Sequence, residues 1–177
     1  MTSPALPAPR RSGAPYRIAL VCLGNICRSP MADVVLNDRL ASAALDRDVT
    51  VVSAGTGDWH VGNPMDRRAA ALLTSHGYDA SRHRAQLFAA HWFEEQDLVL
   101  AMDESNVADL RTEFGDALDD PARLKLFREF DPRAHDGDRD VPDPYYGGDD
   151  GFATVLTMIE RTCDEIIAAL DRELVGG

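Results

Sequence analysis

The stretch Val21–Pro30, which reads VCLGNICRSP, joins a short apolar run to the start of an amphipathic segment. The run before it, residues 18–21, is long enough for a buried strand. Ser29 and Pro30 favour a helix start, because a Ser hydroxyl caps free amides and Pro at the first helical position loses no hydrogen bond. The stretch therefore predicts a strand ending at Cys22, a tight turn, and a helix whose amino end points back at the sulfur.

That turn has the chemistry of an anion site. Successive amides in a tight turn, backed by a helix amino end, form a concave cradle for a tetrahedral anion. Gly24 and Asn25 tolerate the left-handed backbone that such a turn requires. Arg28 can place two parallel donors on two phosphate oxygens. The same positive field favours the nucleophilic thiolate form of Cys22, so the turn predicts phosphoryl transfer through a phosphocysteine.

A phosphocysteine mechanism also needs a proton donor for the leaving oxygen, and the sequence offers three Asp-Pro pairs. Asp120 and Asp131 precede Pro in contexts typical of simple turns. Asp143 lies in a long loop, residues 131–150, and is followed by two aromatic residues and glycine. We therefore assign the general acid to Asp143.

Two motifs, in this order, resemble the low-molecular-weight protein tyrosine phosphatases. The segment 22–32 is similar to the family's signature loop, and 143–147 is similar to its general-acid loop. The resemblance runs from about Tyr16 to the last helix. It implies that Asp143 protonates the tyrosyl oxygen and then activates water, and that Ser29 hydrogen-bonds the leaving sulfur. The phosphate-binding loop it implies comprises Leu23, Gly24, Asn25, Ile26 and Cys27.

The resemblance also implies a walled pocket and a supporting network. Trp59, Tyr145 and Tyr146 are the expected substrate-binding residues, because flat walls that grip a phenyl ring explain a preference for phosphotyrosine. The alternative is that Trp59 and Tyr145 pack in the core. The expected supporting network joins Asn25 to Ser53 and to a histidine. His83 is the assigned histidine, although Arg82 competes for the place because the register departs from the family's usual run.

Composition limits the other function classes. A chain of 177 residues, 45% hydrophobic and 27% charged, fits one globular domain. The net charge of −12 disfavours binding to nucleic acid or to an anionic membrane. Three cysteines, an odd number, favour a reducing, cytoplasmic compartment over a disulfide framework. The histidines lack metal-ligand spacing, so no metal or other cofactor is expected, and a monomer is the expected state.

Strand and helix patterns alternate along the chain. This favours a single-domain α/β sandwich of three layers, with a central four-stranded parallel sheet and helices on both faces. The predicted strands cover 18–22, 48–53, 97–102 and 123–127, and the helices cover about 29–45, 64–76, 103–114 and 152–174. Residues 1–15, which contain four prolines, are expected to be a disordered tail before the phosphatase-like domain at 16–177.

The predicted function is hydrolysis of phosphotyrosine in proteins, and three alternatives remain. A related branch dephosphorylates arginine, and a Thr is typical there at the position of Ile26. A second branch reduces arsenate through additional cysteines, of which only Cys163 lies downstream here. A non-catalytic phosphotyrosine-binding module would not need Asp143.

Tyrosine-phosphorylated proteins are the expected partners, and a tyrosine kinase acting on Tyr145 and Tyr146 is a candidate regulator. Cys27 either forms a protective disulfide with Cys22 or packs in the interior.

Overall fold

A four-stranded parallel sheet forms the centre of the computed structural model, which describes residues 3–176. The strands are β1 (Tyr16–Cys22), β2 (Val49–Gly55), β3 (Leu98–Ala101) and β4 (Leu124–Leu126), in the order β2-β1-β3-β4. The helices are α1 (Arg28–Ser42), α2 (Arg67–Ser75), α3 (Trp92–Glu95), α4 (Glu104–Phe114) and α5 (Asp149–Leu170). Short 3-10 turns lie at Gly115–Ala117, Pro121–Arg123 and Phe127–Phe130, and a π turn at Asp171–Val175 follows α5.

Helices cover both faces of this sheet, as the α/β prediction required. Successive side chains of a strand point to opposite faces. In β1, Ile18 and Leu20 are buried with the apolar side chains of α1, α2 and α5. Ala19 and Val21 are buried in a second cluster with residues of α3 and α4. The predicted three-layer arrangement is therefore confirmed.

The strand order explains where a site can form. The chain passes from β1 to its neighbour β2, then crosses over to β3 on the other side of β1. The carboxyl end of β1 is therefore a topological switch point, where connections diverge and leave a crevice. Cys22 is the last residue of β1 and so lies at this crevice.

The start of α1 differs from the expected one. The helix begins at Arg28, and its N-cap is Cys27, whose side chain makes no capping hydrogen bond. The prediction that Ser29 caps the helix was wrong. The residue already lies inside α1, and its hydroxyl is turned toward the sulfur of Cys22, 3.0 Å away.

Residues 3–15 also differ from the expected disordered tail. They form no helix or strand, but Leu6 is buried in the main core. The main-chain amide of Arg10 donates to the Asp97 carboxylate, and its guanidinium donates to the main-chain oxygens of Phe93 at 2.7 Å and Gln96 at 2.9 Å. The Tyr16 hydroxyl donates to a carbonyl of the same segment. Prolines suit an extended segment that docks through its side chains rather than through the main-chain hydrogen bonds of a β-sheet.

Replacing Arg10 with alanine is expected to lower the free energy of unfolding by about 1–2 kcal/mol, because two carbonyls lose a charged donor. The ion pair of Arg10 with Asp119 adds little, since the Asp119 side chain is 58% exposed. Urea unfolding measures the change, and Arg11→Ala, at an exposed neighbour, is the matched control. Equal unfolding midpoints for the two variants would show that the Arg10 side chain does not stabilise the fold.

Candidate active site

Cys22 lines a cavity of about 310 Å³ at the carboxyl end of the sheet. Its sulfur accepts a hydrogen bond from the Asn25 amide at 3.3 Å and lies 3.0 Å from the Ser29 hydroxyl oxygen. Within residues 3–176, the main-chain amides of Gly24, Ile26 and Cys27 have no protein acceptor in hydrogen-bonding geometry. These three residues also line the cavity. Their amides are therefore available to an anion next to the sulfur.

Asn25 gives the loop its shape. Asn25 has a φ of 54°, in the left-handed region. Gly24, for which the sequence also predicts a left-handed backbone, has no positive φ. The Asn25 side chain accepts a hydrogen bond from the Gln86 amide at 3.0 Å, which fixes the orientation of its own amide group. Gly55 lets the loop approach β2, because a Cβ there would lie 2.7 Å from the Leu23 carbonyl oxygen.

The fixed amide of Asn25 sets the direction of two hydroxyl protons. Its nitrogen donates to Ser29 Oγ at 2.8 Å and to Ser53 Oγ at 3.0 Å. Since both hydroxyl oxygens accept here, each hydroxyl proton must point elsewhere. For Ser29 the nearer acceptor is the sulfur of Cys22 at 3.0 Å, and the Ala54 oxygen is farther, at 3.4 Å. The Ser29 hydroxyl is thus arranged to donate to the sulfur.

His83 rather than Arg82 contacts the loop. The His83 Nε2 lies 2.6 Å from the Asn25 carbonyl oxygen, and because a carbonyl only accepts, Nε2 carries the proton. Burial lowers the pKa of His83, and the hydrogen bond to Asn25 opposes that shift. The side chain of Arg82 is 92% exposed and faces Asp79. Of the two candidates, the structure therefore brings only His83 to the network.

Arg28 presents one edge of its guanidinium to the cavity. Its side chain is 3% exposed, and Nη1 donates to the Asp103 carboxylate at 2.5 Å and to the Val141 carbonyl at 3.0 Å. Within the described residues, Nε and Nη2 make no hydrogen bond, so the bidentate edge is available. Burial would lower the pKa of Arg28, but the facing groups of Cys22, Asp103 and Asp143 outweigh it and raise the pKa.

Asp103 was not singled out from the sequence. One of its carboxylate oxygens caps α4 by accepting from the Asn106 amide at 2.7 Å, and the other holds Arg28. The sequence does contain a signal for Asp103, because the residue follows β3 closely, just as the loop that begins at Cys22 follows β1. The carboxyl ends of adjacent parallel strands lie at the same edge of a sheet.

Asp143 lies across the cavity from the loop and 39% of its side chain is exposed. Its Oδ2 is 3.7 Å from Nη2 of Arg28, and its Oδ1 accepts from the Tyr145 amide at 3.0 Å.

The aspartates of the other two Asp-Pro pairs, Asp131 and Asp120, have other contacts. Burial would raise the pKa of Asp131, but hydrogen bonds from Arg161 and Arg128 outweigh it and lower the pKa to about 2. Asp120 caps a 3-10 turn. Of the three Asp-Pro pairs, only Asp143 lines the cavity.

Aromatic side chains form the mouth of the cavity. Trp59 is 70% exposed, Tyr145 is 37% exposed and Tyr146 is 92% exposed, so none of them packs as a core residue. The Tyr145 and Tyr146 rings meet edge to face with centroids 4.9 Å apart. His60 also lines the cavity, its ring 6.3 Å from that of Tyr145, and the sequence did not mark it.

The other two cysteines are buried thiols. Burial, followed by the nearby charges of Asp66 and Cys22, raises the pKa of Cys27 well above its ordinary value. Cys163 is fully buried in α5, and burial raises its pKa likewise. Within residues 3–176, no group of three or more His, Cys, Asp or Glu side chains could hold a metal ion. In the same range, no helix is long and apolar enough to cross a membrane.

The chain is similar to known proteins over most of its length. Residues 17–175 match the family described as low molecular weight phosphotyrosine protein phosphatase. A low molecular weight protein-tyrosine-phosphatase of Streptomyces coelicolor is 44% identical over 161 residues, which are 91% of this chain and 97% of that one. The solved structure of YfkJ from Bacillus subtilis matches with a TM-score of 0.84 at 30% identity, covering 93% of this chain and 99% of that one. A Drosophila arginine phosphatase matches with a TM-score of 0.80 at 28% identity, covering 88% and 98%.

Proposed function

Since the chain belongs to the low molecular weight phosphotyrosine protein phosphatase family, we propose that it hydrolyses phosphotyrosine in proteins through a phosphocysteine on Cys22. The observation that carries this proposal is the convergence of three groups on one cavity: the sulfur of Cys22, the open edge of Arg28 and the carboxyl of Asp143. A nucleophile, an anion clamp and a proton donor are the parts that phosphoryl transfer requires.

In the first step the phosphate dianion binds to the loop amides and to Nε and Nη2 of Arg28. The thiolate of Cys22 then attacks phosphorus, a sulfur–phosphorus bond forms, and the bond from phosphorus to the tyrosyl oxygen breaks. Asp143 gives its proton to that oxygen, so the substrate leaves as a neutral phenol. Arg28 holds the charge on the phosphoryl oxygens throughout the transfer, and its fixed position avoids reorganisation during the step.

In the second step water attacks the phosphocysteine and the thiolate leaves. Asp143, now ionised, takes the proton from the water. The Ser29 hydroxyl donates a hydrogen bond to the sulfur as its negative charge returns, which the direction of its proton favours. Inorganic phosphate is released, and the thiolate is restored.

The shape of the cavity favours an aryl phosphate. A phosphotyrosine bound at the loop would place its ring in the part of the cavity that Trp59 and Tyr145 line. Phosphoserine is too short to reach the loop past these walls. Tyrosine-phosphorylated proteins are thus the proposed substrates, and the free cysteines suit a reducing, cytoplasmic location. A monomer, kinase modification of Tyr145 and Tyr146, and a protective Cys22–Cys27 disulfide stay predictions.

Phosphoarginine hydrolysis is the second candidate, because a Drosophila arginine phosphatase shares this fold. Here Ile26 lines the cavity and favours the apolar ring of tyrosine. Turnover of phosphotyrosine, phosphoserine, phosphoarginine and arsenate under reducing conditions separates the candidates. We expect phosphotyrosine to be the preferred substrate. Preferred turnover of phosphoarginine or arsenate, or binding without turnover, would overturn the proposal.

Replacing Asp143 with asparagine tests the acid role. We expect kcat/KM, which covers the steps up to departure of the leaving group, to fall by about 10²–10³-fold for phenyl phosphate, whose leaving group needs a proton, and much less for 4-nitrophenyl phosphate. Steady-state kinetics with both substrates measure the difference. Asp131→Asn is an unsuitable control because Asp131 is buried among arginines, so the exposed Asp136→Asn is used instead. An equal fall in kcat/KM with both substrates would remove Asp143 from the acid role.

A further inference from the structure

Arg68, near the start of α2, joins two loops of the active site. It donates to the Asp66 carboxylate at 3.1 Å and to the main-chain oxygens of Tyr145 at 2.9 Å and Gly147 at 3.5 Å. Its guanidinium also stacks over the rings of Phe152 at 4.6 Å and Tyr145 at 5.5 Å. One side chain therefore contacts α2, the start of α5 and the loop that carries Asp143.

Asp66 connects this arginine to the phosphate-binding loop. Its main-chain amide donates to the Ile26 carbonyl oxygen at 2.9 Å, and its side chain accepts from the Arg68 amide as the N-cap of α2. Burial would raise the pKa of Asp66, but the hydrogen bonds from Arg68 outweigh it and lower the pKa. Asp66 and Arg68 therefore form an ionised pair, and Asp66 binds this pair to the phosphate-binding loop through Ile26.

The other end of the connection reaches the general acid through one residue. The carbonyl of Tyr145 accepts from Arg68, while its amide donates to Oδ1 of Asp143 at 3.0 Å. From these contacts we infer that Arg68 is a positioning residue, which holds the Asp143 carboxyl over the phosphate by fixing the Tyr145 backbone. This inference rests on the proposed function.

The tip of the acid loop, residues 143–148, has little else to hold it. Two hydrogen bonds fix the base of the loop. The Val141 amide donates to the Met102 carbonyl oxygen at 2.7 Å, and the Arg128 guanidinium donates to the Asp140 carbonyl oxygen at 2.8 Å. Within residues 3–176, Arg68 is the one side chain outside the tip that donates hydrogen bonds to the tip's main chain. Without Arg68 the tip keeps short-range hydrogen bonds, from the Gly147 amide to the Pro144 oxygen, from the Gly151 amide to the Gly148 oxygen and from the Tyr145 amide to Asp143. Its one longer-range polar contact is then the 3.7 Å approach of Asp143 Oδ2 to Arg28 Nη2, within the described residues.

Arg68→Ala is expected to lower kcat/KM about tenfold for phenyl phosphate and less than about twofold for 4-nitrophenyl phosphate, because only the poor leaving group needs a well-placed acid in the first step. Competitive inhibition by inorganic phosphate should change little, because the groups that bind phosphate are untouched. Arg68→Lys should restore part of the loss, since a single ammonium reaches fewer of these partners. The matched control is Arg67→Ala, at the neighbouring residue, which makes no ion pair within the described residues.

A double-mutant cycle with Asp143→Asn decides the outcome. If Arg68 acts through the acid, adding Arg68→Ala to Asp143→Asn should produce little further loss with phenyl phosphate. A full further loss, or equal slowing of both substrates by Arg68→Ala, would overturn the positioning role. If the unmodified protein hydrolyses neither substrate, the proposed function itself fails. If Asp143→Asn shows the leaving-group effect and Arg68→Ala does not, the inference about Arg68 alone fails.

Discussion

Replacing Cys22 with serine is expected to abolish turnover of phosphotyrosine, with a loss in kcat on the order of 10⁴-fold or more. The sulfur lies 3.3 Å from the Asn25 amide and 3.0 Å from the Ser29 hydroxyl oxygen, surroundings that suit an anion. A serine hydroxyl stays protonated in the same place and is a poor nucleophile without a base beside it. Steady-state kinetics on a phosphotyrosine peptide measure the loss.

The same variant should still bind phosphate, because the amides of the loop and the edge of Arg28 are unchanged. Calorimetric titration with inorganic phosphate tests this, and a dissociation constant within a few-fold of that of the unmodified protein is expected. Cys163→Ser, at the buried cysteine of α5, controls for the general effect of replacing a cysteine. Hydrolysis retained by Cys22→Ser would rule out the phosphocysteine mechanism.

Arg28→Lys should also give a large loss, about 10²–10³-fold in kcat/KM, although the charge is kept. Asp103 and the Val141 carbonyl occupy Nη1, which leaves Nε and Nη2 as a pair of parallel donors for the phosphate. A lysine ammonium would pair with Asp103 and offer the phosphate no such edge. Kinetics with phosphotyrosine and competition by inorganic phosphate should both show weaker binding.

The control for Arg28→Lys is Arg39→Lys in the same helix, where the arginine pairs with Asp164 far along the chain. That variant should keep its activity. Activity of Arg28→Lys within about twofold of the unmodified protein would show that the bidentate edge is not used, and the proposed clamp would then be wrong.

The sequence alone predicted the sheet and the position of Cys22, because both depend on local patterns. An apolar run, a turn with Gly24 and Asn25, and a helical rhythm after Pro30 specify a strand, a loop and a helix without knowledge of distant residues. The parallel sheet then follows from the alternation of strands and helices. What remained open was the choice between neighbours such as Arg82 and His83, which differ by one residue in register and are separated only by the tertiary fold.

Contacts between distant segments were beyond the sequence. Arg68 and Tyr145 lie far apart in the chain, and no local pattern marks them as partners. The docking of residues 3–15 involves a hydrogen bond from the Arg10 amide to Asp97, which lies just before β3. These two residues are likewise far apart in the chain. A local preference favours Ser29 as a helix cap, but α1 begins one residue earlier, at Arg28, so Ser29 lies inside the helix with its hydroxyl next to the sulfur of Cys22.

The most direct test of the central claim is to trap the covalent intermediate. The protein is mixed with 4-nitrophenyl phosphate, quenched with acid during turnover and digested, and the peptides are analysed by mass spectrometry. We predict one phosphoryl group on the peptide that contains Cys22, located at its sulfur and absent from the Cys22→Ser variant. A phosphoryl group on any other residue, or turnover without a phosphorylated peptide and without a burst of nitrophenol, would contradict the account.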